Sequence, residues 1–262
     1  MSETTRPMGA QAVKPPLGLA LGSLLRADAT ALMRSGRTLL ITLVLPIAIL
    51  FITGSGRGRG AALGGGGFLV GLSITYGLMA AGLIGYPIMM ARDRETGVFQ
   101  RMRVTPAPAW TIPVSRLVVQ LATSLAVSVV VMIVGGIKYH LTMSPGRWLA
   151  VVGVTVLGAA VCLAIGQAVV GLATTSGEVS AAGRVLFAVL IILGLVGSTG
   201  VLGGTLRAVA GWTPVGALTN MFAAATGSTP WGTDQWYGLI ASAIYIAVCG
   251  TIGVRWFRWT VR

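Results

Sequence analysis

Charge is scarce in this sequence. Only 10% of its 262 residues are Asp, Glu, Lys or Arg, where a soluble domain carries about 25%. So few charges could not hydrate a soluble surface, and 55% hydrophobic residues with a mean hydropathy of +0.85 point to lipid as the main solvent. Lysine occurs only as Lys14, followed by Pro15, and Lys138, followed by Tyr139. A phosphate-cradling P-loop needs a glycine-rich turn, then Lys, then Ser or Thr, so the chain has no ATP-hydrolysing site of its own. The sole histidine, His140, falls in a loop between apolar runs, which deprives an intramembrane serine–histidine dyad of its base. Cys162 and Cys249 lie inside apolar segments without CxxC spacing and imply neither a metal site nor a disulfide framework. Residues 1–37 lack the short apolar core and small-residue cleavage site of a signal peptide, so the first apolar run reads as an uncleaved span.

What the sequence does have is long apolar runs, at about 38–54, 67–91, 114–137, 148–175, 184–205 and 237–256. Most approach the ~20 residues that a helix needs to cross a bilayer. The expected fold is an all-α integral membrane protein of six spans, with no room for a separate soluble domain. Residues 1–16 read as a flexible cytoplasmic tail, and 17–262 as one transmembrane domain. From about 17 to 37, Leu21, Leu25, Ala29 and Leu32 recur at helical spacing while Arg26, Thr30, Arg34 and Arg37 gather opposite them. This pattern suits an interfacial helix. Asp28 falls on its apolar side and either reaches to water or pairs with a neighbouring cytoplasmic arginine. The first span is short and contains Pro46. Residues 205–236, broken by Pro214 and Pro230, are too long for a turn and too interrupted for a span. They read as one or two short helices re-entering the outer leaflet, which is tolerated where protein covers the backbone.

The net charge of +13 does not indicate nucleic acid, because the basic residues cluster at the ends of apolar runs. With both termini inside, the cytoplasmic set is Arg6, Lys14, Arg26, Arg34, Arg37, Arg92, Arg94, Arg101, Arg103, Arg116, Arg184, Arg255, Arg258 and Arg262. Only Arg57, Arg59, Lys138, Arg147 and Arg207 fall outside, a strong positive-inside bias for a multi-pass protein of the cell membrane. The tryptophans at 110, 148, 212, 231, 236, 256 and 259 all lie at span ends or in loops, as an aromatic belt requires. The spacings Gly77-x-x-x-Ala81, Ala81-x-x-x-Gly85 and Gly200-x-x-x-Gly204 suit close helix packing.

The one long charged loop follows the second span. It runs Arg94-Glu95-Thr96-Gly97, then Val98, Phe99, Arg101 and Met102 on an amphipathic turn, then Arg103-Val104-Thr105-Pro106. This pattern resembles the first cytoplasmic loop of permease subunits of type-2 ABC exporters, roughly E-x-G-x-x-x-x-[LM]-x-x-[TS]-P. The interfacial helix, the six spans and the outer Trp212-Thr213-Pro214 segment extend the resemblance over most of the chain. It implies a two-part pump in which the loop is a coupling helix docked on a separate ATPase. Arg94, Glu95, Gly97, Phe99, Arg101, Arg103, Thr105 and Pro106 would form that coupling site. In it Glu95 would cap or pin the element, Gly97 would allow the turn, and Arg101 and Arg103 would face the ATPase or lipid phosphates.

The implied assembly pairs the chain with a second or sister permease and with two copies of an ABC ATPase, which would hold ATP and magnesium. The chain itself binds no cofactor or metal, has no catalytic residue, and meets membrane lipid. The resemblance places the path near spans one, two and five, where Phe51, Tyr76, Met79 and Phe187 are the candidate lining. A path free of charge suits hydrophobic drugs, lipids or lipid-linked polymers. Two rival classes are a non-transporting scaffold or assembly subunit, which has no use for such a loop, and an ion-coupled carrier. The carrier requires ionisable residues deep in the membrane, and the spans hold none in their interiors.

Overall fold

The computed structural model describes residues 17–34, 36–54, 65–98, 111–199 and 209–256. Every element within them is helical: α1 Leu17–Arg34, α2 Gly36–Gly54, α3 Gly65–Ala80, a π-helical turn Ala81–Gly85, α4 Tyr86–Glu95, α5 Thr111–Tyr139, α6 Pro145–Leu172, α7 Ser176–Thr199, α8 Pro214–Ala225 and α9 Thr233–Arg255. The continuous helix Gly65–Glu95 and helices α5, α6, α7 and α9 contain five segments long and apolar enough to cross a membrane. The first apolar run lies in α2, whose stretch Thr42–Thr53 is a shorter apolar helix.

Helix Gly65–Glu95 is the centre of the bundle. The rest of the chain buries 78% of its apolar stretch, against 22% for α5, α7 and α9. Leu69, Val70, Met79, Leu83, Tyr86 and Met90 are completely buried along it. On one side Gly77 packs on Pro46 of α2, so the proline that interrupts the α2 ladder is covered by a neighbour without a side chain. Gly85, expected to pack, meets only the carbonyl of Ala80 in its own helix. On the other side the π turn is pressed between two helices. A methyl on Gly166 of α6 would overlap the Gly82 carbonyl oxygen, and one on Gly183 of α7 would overlap that of Leu83. Small residues here let three backbones touch.

The segment before the last helix contains α8, started by Thr213, whose Oγ1 accepts the Gly216 N–H at 3.2 Å, with Pro214 in the first turn. Twelve residues make about 18 Å of helix, too short to cross ~30 Å of hydrocarbon. Yet Val215, Leu218, Met221 and Phe222 are fully buried. Phe222 seats against Gly71, and Leu218 against Gly158 of α6. The α8 chain therefore lies inside the bundle alongside the first half of α3. Near it Trp212 stacks on Tyr237 at 5.5 Å and Trp231 meets Trp236 edge-on at 6.1 Å, an aromatic group at one end of the bundle.

Several expected limits shift by three or four residues, and one by more. The fifth span starts at Ser176 rather than near 184, because Thr175 and Glu178 cap the helix there and Arg184 rides on its exposed surface. The fourth ends at Leu172, where Ala173 turns to extended backbone. The spacing Gly200-x-x-x-Gly204 lies outside the described residues.

Candidate coupling site and transport path

The last turn of α4 carries Asp93, Arg94 and Glu95 in succession. Neighbours on an α-helix point about 100° apart, so three consecutive side chains fan towards three different elements. Asp93 Oδ2 pairs with Arg116 Nη1 of α5 at 2.7 Å, and Arg116 Nε lies 3.8 Å from Asp28 Oδ1 on α1. Ser115 donates its hydroxyl hydrogen to Asp28. Of the two readings open for Asp28, the ion pair is the one the structure contains. This network stitches α1, α4 and α5 together. It also explains α1: Leu21, Leu25 and Asp28 are half-buried while Arg26, Thr30 and Arg34 are exposed.

Arg94 is only 4% exposed. Its Nη1 donates to the Val170 carbonyl at 3.2 Å, and its Nη2 donates to those of Ala173 at 2.9 Å and Thr174 at 2.7 Å. The last carbonyls of a helix have no partner within it and carry the negative end of its dipole. A guanidinium from a neighbouring helix thus closes the end of α6, which makes burial of this cation tolerable.

Glu95 acts on the other side of the same turn. Its Oε1 accepts the Ser176 backbone N–H at 2.6 Å, at the positive end of α7. The turn is further set by a capping box. Glu178 Oε2 accepts the N–H of Thr174 at 2.8 Å and of Thr175 at 3.3 Å, and Thr175 Oγ1 accepts the Glu178 N–H at 3.2 Å. Directly after Glu95, Thr96 N–H donates to Arg92 and Gly97 takes φ +70, a left-handed helix stop that favours glycine.

Of the expected coupling residues, the structure brings Arg94, Glu95 and Gly97 to one place. Glu95 binds the amide at the start of α7. Phe99, Arg101, Arg103, Thr105 and Pro106, with the coupling helix expected there, lie outside the described residues. Sequence reasoning passed over Asp93 and gave Arg116 no partner. It also missed Thr175-x-x-Glu178, a capping-box pattern that could have marked the start of α7.

The four path candidates divide. Met79 is fully buried, and Tyr76 is buried with its hydroxyl donating to the Ile191 carbonyl of α7 at 3.3 Å. Phe187 packs half-buried against the same core. Phe51 stands apart at the opposite end of the bundle from Arg94, with Lys138 Nζ 4.0 Å above its ring. Lys138 and Tyr139 both donate to the Leu50 carbonyl, at 3.3 and 3.2 Å. Gln167, the most polar deep residue in the sequence, accepts the Tyr86 hydroxyl hydrogen at 2.7 Å. Among the described residues no group of three or more His, Cys, Asp or Glu could hold a metal ion.

The sequence matches a family model, described as ABC-2 family transporter protein, over residues 60–255. No curated protein matches the chain.

Proposed function

The chain belongs to the ABC-2 family of transporter proteins, and from that premise we propose that it is the permease half of an ATP-driven exporter of amphiphilic or hydrophobic substrates. It is a multi-pass membrane protein and a transport subunit, not itself the ATPase. In our reading α2 supplies a sixth crossing, α1 lies in the inner interface, and α8 re-enters from the outer side. Both termini and the end carrying Asp28, Arg94 and Glu95 are then cytoplasmic, in line with the basic bias. Two such chains, or this one and a sister permease, enclose the path near α2, α3 and α7 where Tyr76, Met79, Phe187 and Phe51 lie. An ABC ATPase on each copy binds ATP and magnesium and grips the loop that begins at Gly97.

The observation that carries this reading is the hub at the end of α4. A loop that only linked two spans would have no need of a buried arginine and a carboxylate fixed to a different pair of helices. A lever does need such fixing at its root. The reading is tested by reconstituting the chain with its ATPase in proteoliposomes, with a labelled phospholipid and a hydrophobic dye as probes. Glu95→Ala and Gly97→Val should leave the protein inserted while transport and probe-stimulated hydrolysis fall sharply. Full transport with normal stimulation in both variants refutes the coupling role. Export confined to small hydrophilic ions refutes the substrate class.

A further inference from the structure

The hub does more than anchor the loop's own helix. Resting on the coupling reading above, we infer that Arg94 and Glu95 fasten the end of α4 and the turn between α6 and α7 into one moving part. Force delivered to the loop then acts on α6 and α7 together with α4.

Two bonds of opposite polarity bracket the turn. The Arg94 cation holds the carbonyl side, at Val170, Ala173 and Thr174, while the Glu95 anion holds the amide side, at Ser176. Because both partners are backbone atoms, the contacts fix the path of the chain and not merely a side-chain rotamer. Sliding α4 along its axis or rotating it would break both at once, and would leave the Arg94 charge buried without its carbonyls.

The same helices also meet at a second level. Gly82 and Leu83 of the π turn touch Gly166 of α6 and Gly183 of α7 through their carbonyl oxygens, roughly twelve residues or about 18 Å back along the helix. Contact at two separated levels resists tilting as well as sliding. A helix held only at its end could pivot, whereas one held at both the end and the π turn moves with its neighbours. Just beyond the lower contact the chain leaves the helix at Gly97, so the joint lies outside the fastened body.

Arg94 is thus a positioning residue for coupling. The test uses the full complex with its ATPase, with Cys162 and Cys249 replaced by Ala and spin labels on Thr96→Cys and Gly177→Cys. Both positions are exposed. Electron-spin distances are measured without nucleotide and after vanadate trapping with ATP. The expected result is one narrow distance that does not change between the two states. In Arg94→Gln the distance should broaden and shift on trapping, with a tenfold or greater loss of transport per ATP hydrolysed. A shift of a helical turn, about 5 Å, in the parent overturns the inference. An unchanged, narrow distance in both states of Arg94→Gln overturns it as well. The parent arm decides the matter even where Arg94→Gln fails to fold. Glu95→Ala and Gly97→Val, assayed for transport and hydrolysis alongside, report on the coupling reading: that reading falls if both keep full transport and normal stimulation, whatever the distances show.

Discussion

Helix α6 carries two glycines whose replacement by alanine should act in opposite directions. Gly153 is exposed and a methyl there would meet nothing within 4 Å. In a helix interior, alanine is favoured over glycine by about 0.5–1 kcal/mol, because the unfolded chain has less freedom to lose. Gly153→Ala should therefore stabilise by about that much. Gly166 gains the same term but faces backbone. Its methyl would overlap the Gly82 carbonyl oxygen and approach Pro87 Cγ to 2.9 Å. A flexible side chain could swing aside, whereas the π turn cannot move without pulling Leu83 off Gly183. Overpacking of this kind costs about 1–3 kcal/mol, so after the helix term of about 0.5–1 kcal/mol is subtracted the net effect is a loss of about 1.2 kcal/mol at mid-range and about 2.5 kcal/mol at most. The assay is reversible unfolding in mixed micelles titrated with dodecyl sulfate, followed by tryptophan fluorescence. Gly166→Ala at or above parental stability would refute the tight three-helix contact at the π turn.

Three further outcomes are expected. Tyr86→Phe leaves the Gln167 carbonyl without its donor and should cost about 1–3 kcal/mol, most of it regained in the double variant with Gln167→Leu, as the same unfolding titration would show. Arg116→Ala should release α1 more than Asp28→Asn does, because it leaves two neighbouring carboxylates facing each other; faster maleimide labelling of a cysteine placed at Leu24 measures this, and equal rates in the two variants would count against the network. Cysteines placed at Thr5 and Thr260 should resist labelling from outside intact cells, and efficient labelling of either end would refute the orientation.

Much of the fold was legible because the bilayer imposes it. A crossing helix must be apolar for about 20 residues, and that demand is written locally, so each apolar run falls largely on a helix among the described residues, and five of those helices are long and apolar enough to cross. The misplaced start of α7 shows where the same logic misleads. Arg184 looked like a span end by charge, yet the helix begins eight residues earlier, where the Glu178 carboxylate holds the Thr174 and Thr175 amides. Hydropathy counts charges, whereas a helix starts where its first N–H groups find acceptors. The π turn was not legible at all. Ala81–Gly85 reads as ordinary apolar sequence, and the backbones it packs against, at Gly166 and Gly183, lie about 80 to 100 residues away.

The site divides along the same line. Glu95 and Gly97 stood out because their spacing belongs to a recognisable loop pattern, and Gly97 does take the left-handed backbone that only the absence of a side chain makes easy. The partners of Asp93, Arg94 and Glu95 are a different matter. Each is supplied by another helix: Arg116 on α5, the carbonyls that end α6, and the amide that begins α7. Nothing in Asp-Arg-Glu distinguishes three charges in water from three charges with fixed partners. The distinction is made by where α6 stops. Leu172 ends that helix beside the last turn of α4, so carbonyls that would otherwise need water lie within reach of a guanidinium, and the start of α7 follows within reach of a carboxylate. Exchanging the charges at 94 and 95 would preserve composition, net charge and the positive-inside bias. It would also set a carboxylate against three carbonyl oxygens and a cation against the amide end of a helix. The order Arg-Glu, rather than the presence of an Arg and a Glu, is therefore what joins the end of α4 to α6 and α7.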